Sequence, residues 1–375
     1  MKENRLPQTV IPAEICCAQD YEYLAGHFLA ADRLAYIAGG CGHETTLTAN
    51  RAAFDATSIW PRLLCDVAHG HTAFELFGRR WAHPILLAPV AYQTLAHPQG
   101  EIEVARGAAA TDSGFVLSTL AGRTLEDVAV HAGEERWFQL YFQSERRHTL
   151  DLVQRAEAAG YRVLVVTLDT AIKLPSLRAQ RAGFTMPAAV VAANLANYPE
   201  AAGRSIERGQ SRVFQGVMAQ APSWADLDWL LAQTRLPVVV KGVLHPQDAL
   251  RMKKRGVAGL VVSNHGGRSL DGVPASLAVL PAIRAAVGDD YPLLLDSGIR
   301  SGGDVFKALA LGADAVLIGR LQTYALAVAG ALGVAHLLRL LREELEVCMA
   351  QAGCATLADI GPAMIFRQTG EETGC

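Results

Sequence analysis

The chain has 375 residues, 51% of them apolar and 19% charged, and its 34 Lys+Arg against 37 Asp+Glu leave a formal charge of -3. That balance excludes a basic nucleic-acid footprint and leaves small molecules or proteins as partners. The seven cysteines are odd in number and lack Cys-x-x-Cys spacing, so they signal neither a metal (zinc) site nor a disulfide framework and fit a reducing cytoplasm.

Taken in chain order, the N-terminal MKENRLPQTVIPAEICC lacks the continuous apolar stretch of a signal peptide. No window reads as about 18 apolar residues without charge, and the alanine-rich MPAAVVAANL at 186–195 is too short to span a bilayer. Residues 1–84 read as helices plus a short extension, with Tyr36-Ile37-Ala38-Gly39-Gly40 as a helix end terminated by glycine. From residue 85, β-like apolar runs recur: ILLAPV, GFVLST, WFQLYF, VLVVTLD, PVVVKG, GLVVSNH, PLLLDSG and AVLIGR. Helix-compatible segments at 149–159, 246–255 and 303–311 lie between them, with apolar residues three and four apart. Strand then helix, eight times, predicts an α/β fold, a (β/α)8 TIM barrel with an N-terminal helical extension. The expected organisation is one domain: residues 1–84 before the barrel, 85–345 the barrel, 346–375 a C-terminal segment. The spacing after the fourth strand predicts a long insertion at 171–222, read as a lid or a disordered excursion.

Nearly every run ends in a functional group: Ser118, Gln139 with Tyr141, Thr167 with Asp169, Lys241, Ser263 to His265, Asp296, and Gly319-Arg320. In a barrel these ends converge on one face, where chemistry sits, and the loops after strands seven and eight commonly bind phosphate. Those loops read DSGIRSGGD and IGRLQ, in which Gly298 and neighbouring glycines permit close backbone approach while Arg300 and Arg320 supply charge. His265 is a candidate base, Asp169 a candidate partner fixing its tautomer, and Arg268 a candidate carboxylate or phosphate clamp.

The segments SNHGGRSLDG, KGV at 241–243, DSGIRSGGDVFKALALGADAVLIGR at 296–320, APVAYQTLAHPQGE at 88–101 and FQLYFQ at 138–143 carry a specific likeness. From roughly Asp20 to Asp359 the chain resembles the FMN-dependent 2-hydroxy acid oxidases and dehydrogenases, a family of the glycolate oxidase, lactate oxidase and mandelate dehydrogenase type. The resemblance implies FMN as cofactor, with Pro89, Val90 and Ala91 against the flavin, and Ser118, Gln139, Thr167, Lys241 and Ser263 around its ring and ribityl chain. Asp296 and Ser297 would serve the ribityl end, and Gly298, Arg300, Gly319 and Arg320 the phosphate. Tyr36 and Arg268 would clamp the substrate carboxylate, Tyr141 would bond the 2-hydroxyl, and His265 would take a substrate proton. Whether the α-hydrogen leaves as hydride or as a proton stays open. The implied product is a 2-oxo acid, the implied acceptor oxygen giving hydrogen peroxide, and the implied assembly a homotetramer in the cytoplasm.

Three departures qualify that likeness. Aligned back from Phe184, the family's lid arginine falls on Ser176 and the neighbouring acid on Leu177, with Arg178 able to reach in only by a register shift. Leu120 replaces a tryptophan, which predicts a reshaped side-chain pocket. Ala91 rather than glycine favours simple oxidation over decarboxylating oxygenation. Competing expectations are a quinone- or carrier-coupled dehydrogenase, a biosynthetic oxidase of a larger acid, a flavin-binding protein without turnover, and an aldolase in which Lys241 forms a Schiff base.

Overall fold

The eight apolar runs fold as β1 (Ile85–Leu87), β2 (Gly114–Ser118), β3 (Arg136–Leu140), β4 (Leu164–Thr167), β5 (Val238–Val243), β6 (Gly259–Val262), β7 (Leu293–Leu295) and β8 (Ala315–Ile318). All pair in parallel, and β8 closes on β1 to complete a barrel. The computed structural model describes residues 4–199 and 206–366. Residues 200–205 of the polar part of the insertion and 367–375 of the C-terminal segment lie outside the described residues.

The strand residues are buried on both faces, which explains why the runs read as continuous rather than alternating. The two faces still differ. Leu86, Val116, Val165, Val239, Val261, Leu294 and Leu317 form an inner cluster. Their neighbours, such as Ile85, Leu87, Phe115, Leu117, Val240 and Val262, pack outward against the helices. The lower end of the inner cluster is plugged by Trp81 and Trp137, whose rings meet edge-on at 5.7 Å. Trp81 arrives on a two-stranded antiparallel ribbon, Phe74–Leu76 with Arg79–Trp81, inside the segment expected to be only helices and a short extension.

The expected helices appear at Arg146–Ala158, Pro246–Lys254 and Gly302–Ala310. The pre-barrel segment holds three more, Asp20–Phe28, Ala31–Ala38 and Thr45–Asp55. Glycine does end Ala31–Ala38, but Gly39 is extended (φ -65°, ψ 151°) rather than left-handed. It is needed for space, because a Cβ there would stand 2.6 Å from the Ala35 carbonyl oxygen and 2.8 Å from Ser176 Oγ.

The expectation that no long apolar window exists is corrected by helix Arg320–Ala352, which carries an 18-residue window of mean hydropathy 1.7. Two-thirds of that window is buried inside the protein (67%), because the helix packs along the barrel and against Glu101–Ala109 and Gly302–Ala310. Its kink falls at Ala329 and Gly330, where glycine accommodates φ 55°.

Candidate active site

The barrel register builds the pocket. Each inner-cluster residue has, two positions further along its strand, a side chain or backbone of the same face, and those positions are Ala88, Ser118, Gln139, Thr167, Lys241, Ser263, Asp296 and Gly319. The apolar interior therefore changes to polar within one strand step at the C-terminal rim. A cavity of about 250 Å³ opens there, lined by Tyr36, Pro89, Val90, Ala91, Ser118, Gln139, Tyr141, Thr167, Lys241, His265, Arg268, Asp296, Ser297, Gly298, Arg300, Gly319 and Arg320. Asp169 and Ser263 stand behind that wall. Asp169 Oδ1 is 3.0 Å from His265 Nδ1, and Ser263 Oγ accepts from Lys241 Nζ at 2.8 Å and from the His265 amide at 3.0 Å. A larger cleft of about 690 Å³ lies at the other end, lined by His71, Arg79, Trp81, Glu134 and Arg342, and its Arg79 is tied to Glu134 and Glu135.

Charge states follow from burial and neighbours. Burial pushes the Asp169 carboxyl up, but His265, Lys241 and Lys173 outweigh it and hold the group below its usual range. Burial pulls His265 down, Lys241 and Lys173 add to that, and Asp169 opposes, leaving the imidazole pKa lowered. His265 is therefore neutral near pH 7 and Asp169 ionised, which makes Nδ1 the donor to Asp169 and leaves Nε2 as the basic nitrogen. Gly242 makes this pairing possible: at φ 101°, a Cβ on it would stand 2.5 Å from Asp169 Cβ.

Lys241 is drawn the other way. Burial lowers its pKa, but Asp296, whose carboxylate lies 2.8 Å from Nζ, and Asp169 raise it above the ordinary value. A permanently protonated amine is no nucleophile, so the Schiff-base aldolase reading is set aside.

At the opposite end of the cavity, half-buried Arg320 has no carboxylate partner among the described residues and donates to the carbonyls of Ile37, Gly39 and Gly266. Burial, with Arg268 and Arg300 nearby, pulls its pKa down to about 9. Gly319 precedes helix Arg320–Ala352, no side chain caps that helix, and nothing lies within 4 Å of where a Gly319 Cβ would stand. Arg300 also lines the cavity, while its Nε is 2.6 Å from Glu22 Oε2.

The lid resolves the register question. Ser176 caps the short helix Leu177–Arg181, accepting from the Ala179 amide, and bridges to Gly42. Arg178 does not enter the cavity, because its guanidinium is ion-paired with Glu44. Phe184 stacks on Tyr36 with ring centroids 4.3 Å apart. The side chain that does reach the cavity from the lid is Lys173, which the sequence reading passed over; its only signal was a basic residue four positions after Asp169. Tyr92, Leu120 and Thr323 also line the wall, of which only Leu120 was anticipated.

A model of the FMN-dependent dehydrogenase family matches residues 25–367. The chain belongs to this family. An L-lactate oxidase of Alicycliphilus denitrificans is 62% identical over 94% of this chain and 97% of its own length. A 4-hydroxymandelate oxidase of Amycolatopsis orientalis is 44% identical over 90% and 94%, respectively. A crystal structure of mandelate oxidase with benzoyl-formic acid is 41% identical and superposes with a TM-score of 0.84 over 93% of this chain and 97% of that one. This family member is thus an FMN-dependent oxidoreductase.

Its residues fit that cofactor. Gln139 Nε2 and Thr167 Oγ1 are buried without hydrogen-bond partners, a cost of about 1–3 kcal/mol each that a polar ring edge would remove. Lys241 offers a buried cation beside them, and Arg320 with the open helix start at Gly319 offers the anion site expected for a phosphate.

Proposed function

We propose that this chain oxidises a small L-2-hydroxy acid, L-lactate foremost, to the 2-oxo acid, with oxygen as acceptor and hydrogen peroxide as co-product. The coarser class, FMN-dependent oxidation of 2-hydroxy acids, is that of its family. The observation that carries the reading is neutral His265, held from behind by Asp169 and sharing one cavity wall with Arg268 and Tyr141; the 62% identity to an L-lactate oxidase supports lactate and oxygen.

FMN, when bound, accepts the electron pair removed from the substrate and passes it to oxygen. Pro89, Val90, Ala91, Ser118, Gln139, Thr167, Lys241, Asp296 and Ser297 would hold its ring and ribityl chain, and Gly298, Arg300, Gly319 and Arg320 its phosphate. Arg268 orients the acid by its carboxylate, and the Tyr141 hydroxyl on the cavity wall bonds the 2-hydroxyl. His265 Nε2 takes one substrate proton, and the ionised Asp169 stabilises the imidazolium that results. Tyr36 would join Arg268 at the carboxylate, and Tyr92 and Leu120, which line the same cavity, would face the side-chain end. A homotetrameric, cytoplasmic enzyme is part of the same proposal and rests on resemblance and composition.

A peroxide-coupled screen of 2-hydroxy acids graded by size, from glycolate through lactate to mandelate and long-chain acids, tests this reading. The expected result is the highest kcat/KM with L-lactate. Dye reduction without peroxide would replace oxygen by another acceptor, and turnover confined to mandelate or larger acids would overturn the assignment of size.

A further inference from the structure

Arg268 is heavily committed within the protein. Its Nη1 donates to the carbonyls of Tyr36 at 2.8 Å, Ile37 at 3.1 Å and Gly39 at 2.8 Å, and its guanidinium lies 5.1 Å from the Tyr36 ring centre. Those bonds fix the guanidinium at the end of helix Ala31–Ala38 and leave part of its donor set for a ligand. Lys173, on the lid, lines the same cavity as Arg268, Tyr141 and His265. Lys173 is exposed as a residue. The protein around it lowers its pKa by desolvation, and Arg268 and Lys241 lower it further. Among the described residues, Asp169 is the carboxylate acting on it, through space and without a hydrogen bond. Two cations facing one cavity repel each other, and the lid holds Lys173 there through Ser176 bridging to Gly42 and Phe184 stacking on Tyr36. An ammonium that lines one cavity with a guanidinium, and has no ion pair among the described residues, is a site for an anion.

We infer that Lys173 is a second carboxylate-binding residue, docking the acid's carboxylate between its ammonium and the Arg268 guanidinium from the lid side. The inference rests on the 2-hydroxy acid reading above, and it supplies the cation that Ser176 does not. A lysine is a mobile point charge rather than a planar fork, so this site fixes the carboxylate less rigidly than two arginines would.

Lys173 has a further effect on the base. The charged groups around His265 are Asp169 and Lys241 from neighbouring strands and Lys173 from the lid, with Tyr141, Arg268 and Asp296 completing the wall. Removing the Lys173 charge leaves Asp169 less opposed, which raises the imidazole pKa and moves the acid limb of kcat/KM to higher pH.

The test compares FMN-loaded wild type, Lys173→Met and Lys173→Arg. Oxalate affinity is read by flavin absorbance at equilibrium, and kcat and KM for L-lactate are measured across pH. Lys173→Met is expected to weaken oxalate and raise KM at least about 10-fold, the lower end of what a charge-assisted hydrogen bond contributes. Its kcat at saturation should fall by less than KM rises, and Lys173→Arg should restore affinity to within about threefold, since the cation is kept. Unchanged oxalate affinity in Lys173→Met overturns the assignment, as does a pH shift without an affinity loss, which would reduce Lys173 to a neighbour of His265. Loss of FMN in that variant also overturns it, since the residue would then be structural. Oxalate binding needs no turnover, so this result is read even where the wild type oxidises no 2-hydroxy acid, the outcome that would instead defeat the proposed function.

Discussion

His265 sits at φ 58°, followed by Gly266 at 64° and Gly267 at 71°, three consecutive left-handed residues at the end of β6. Two further non-glycine residues of the cavity share that region, Tyr92 at 54° and Ser297 at 79°. Each costs on the order of 1–3 kcal/mol, held by the surrounding structure and concentrated where the chemistry is. For His265 the compensation is visible in the Ser263 bond to its amide and the Asp169 bond to its ring. Replacing His265 by Gln should leave FMN binding intact, read by flavin absorbance, and lower the turnover rate by about 10²–10⁴-fold. The sign of the pH dependence follows from the lowered imidazole pKa: the free base persists below the usual histidine range, so wild-type kcat/KM should hold at pH 6.5 and fall only on further acidification. A limb at or above pH 7 would contradict the neutral-base assignment.

At the entry to β1, His83 is a different kind of histidine. Its Nδ1 accepts from the Ile85 amide at 3.3 Å, and its Nε2 lies 3.2 Å from the Thr111 carbonyl oxygen and 3.1 Å from Ser113 Oγ. That pattern requires the neutral ring, and burial pushes its pKa down to about 4. A depressed histidine contributes stability that is complete above its unfolded value near 6.5 and is lost as pH falls through about 4. The loss is on the order of 3 kcal/mol. Urea unfolding at pH 7 and pH 4 should show it, and His83→Gln should flatten the pH dependence by about one proton. Strands were legible as elements because their residues are apolar on both faces. The ribbon that plugs the barrel was not, because FELFGRRW is short and carries its information in Trp81, whose burial depends on Trp137 far along the chain.

Across the whole molecule, the cavity gathers residues from all eight strand ends, the loops beyond them and the pre-barrel helices, so a ligand there links the entire upper rim. FMN at 100 times its Kd should stabilise the apoprotein by about 2.7 kcal/mol and raise Tm by several degrees, measurable by differential scanning fluorimetry. An unchanged Tm would mean that the folded chain does not bind FMN. The sequence alone determined the barrel, since eight apolar runs alternating with helical periods admit few other architectures. It also determined the reactive face, because the functional groups that end the apolar runs converge there, and Ser118, Gln139, Thr167, Lys241, Asp296 and Gly319 line the cavity. Tertiary structure alone decided what depends on contacts between distant segments. Asp169 pairs with His265 because Gly242 leaves room, Arg300 meets Glu22, and Arg178 is claimed by Glu44. Lys173 reached the cavity for the same reason: a lid's register is set by what it packs against, and here that is Gly42 and Tyr36.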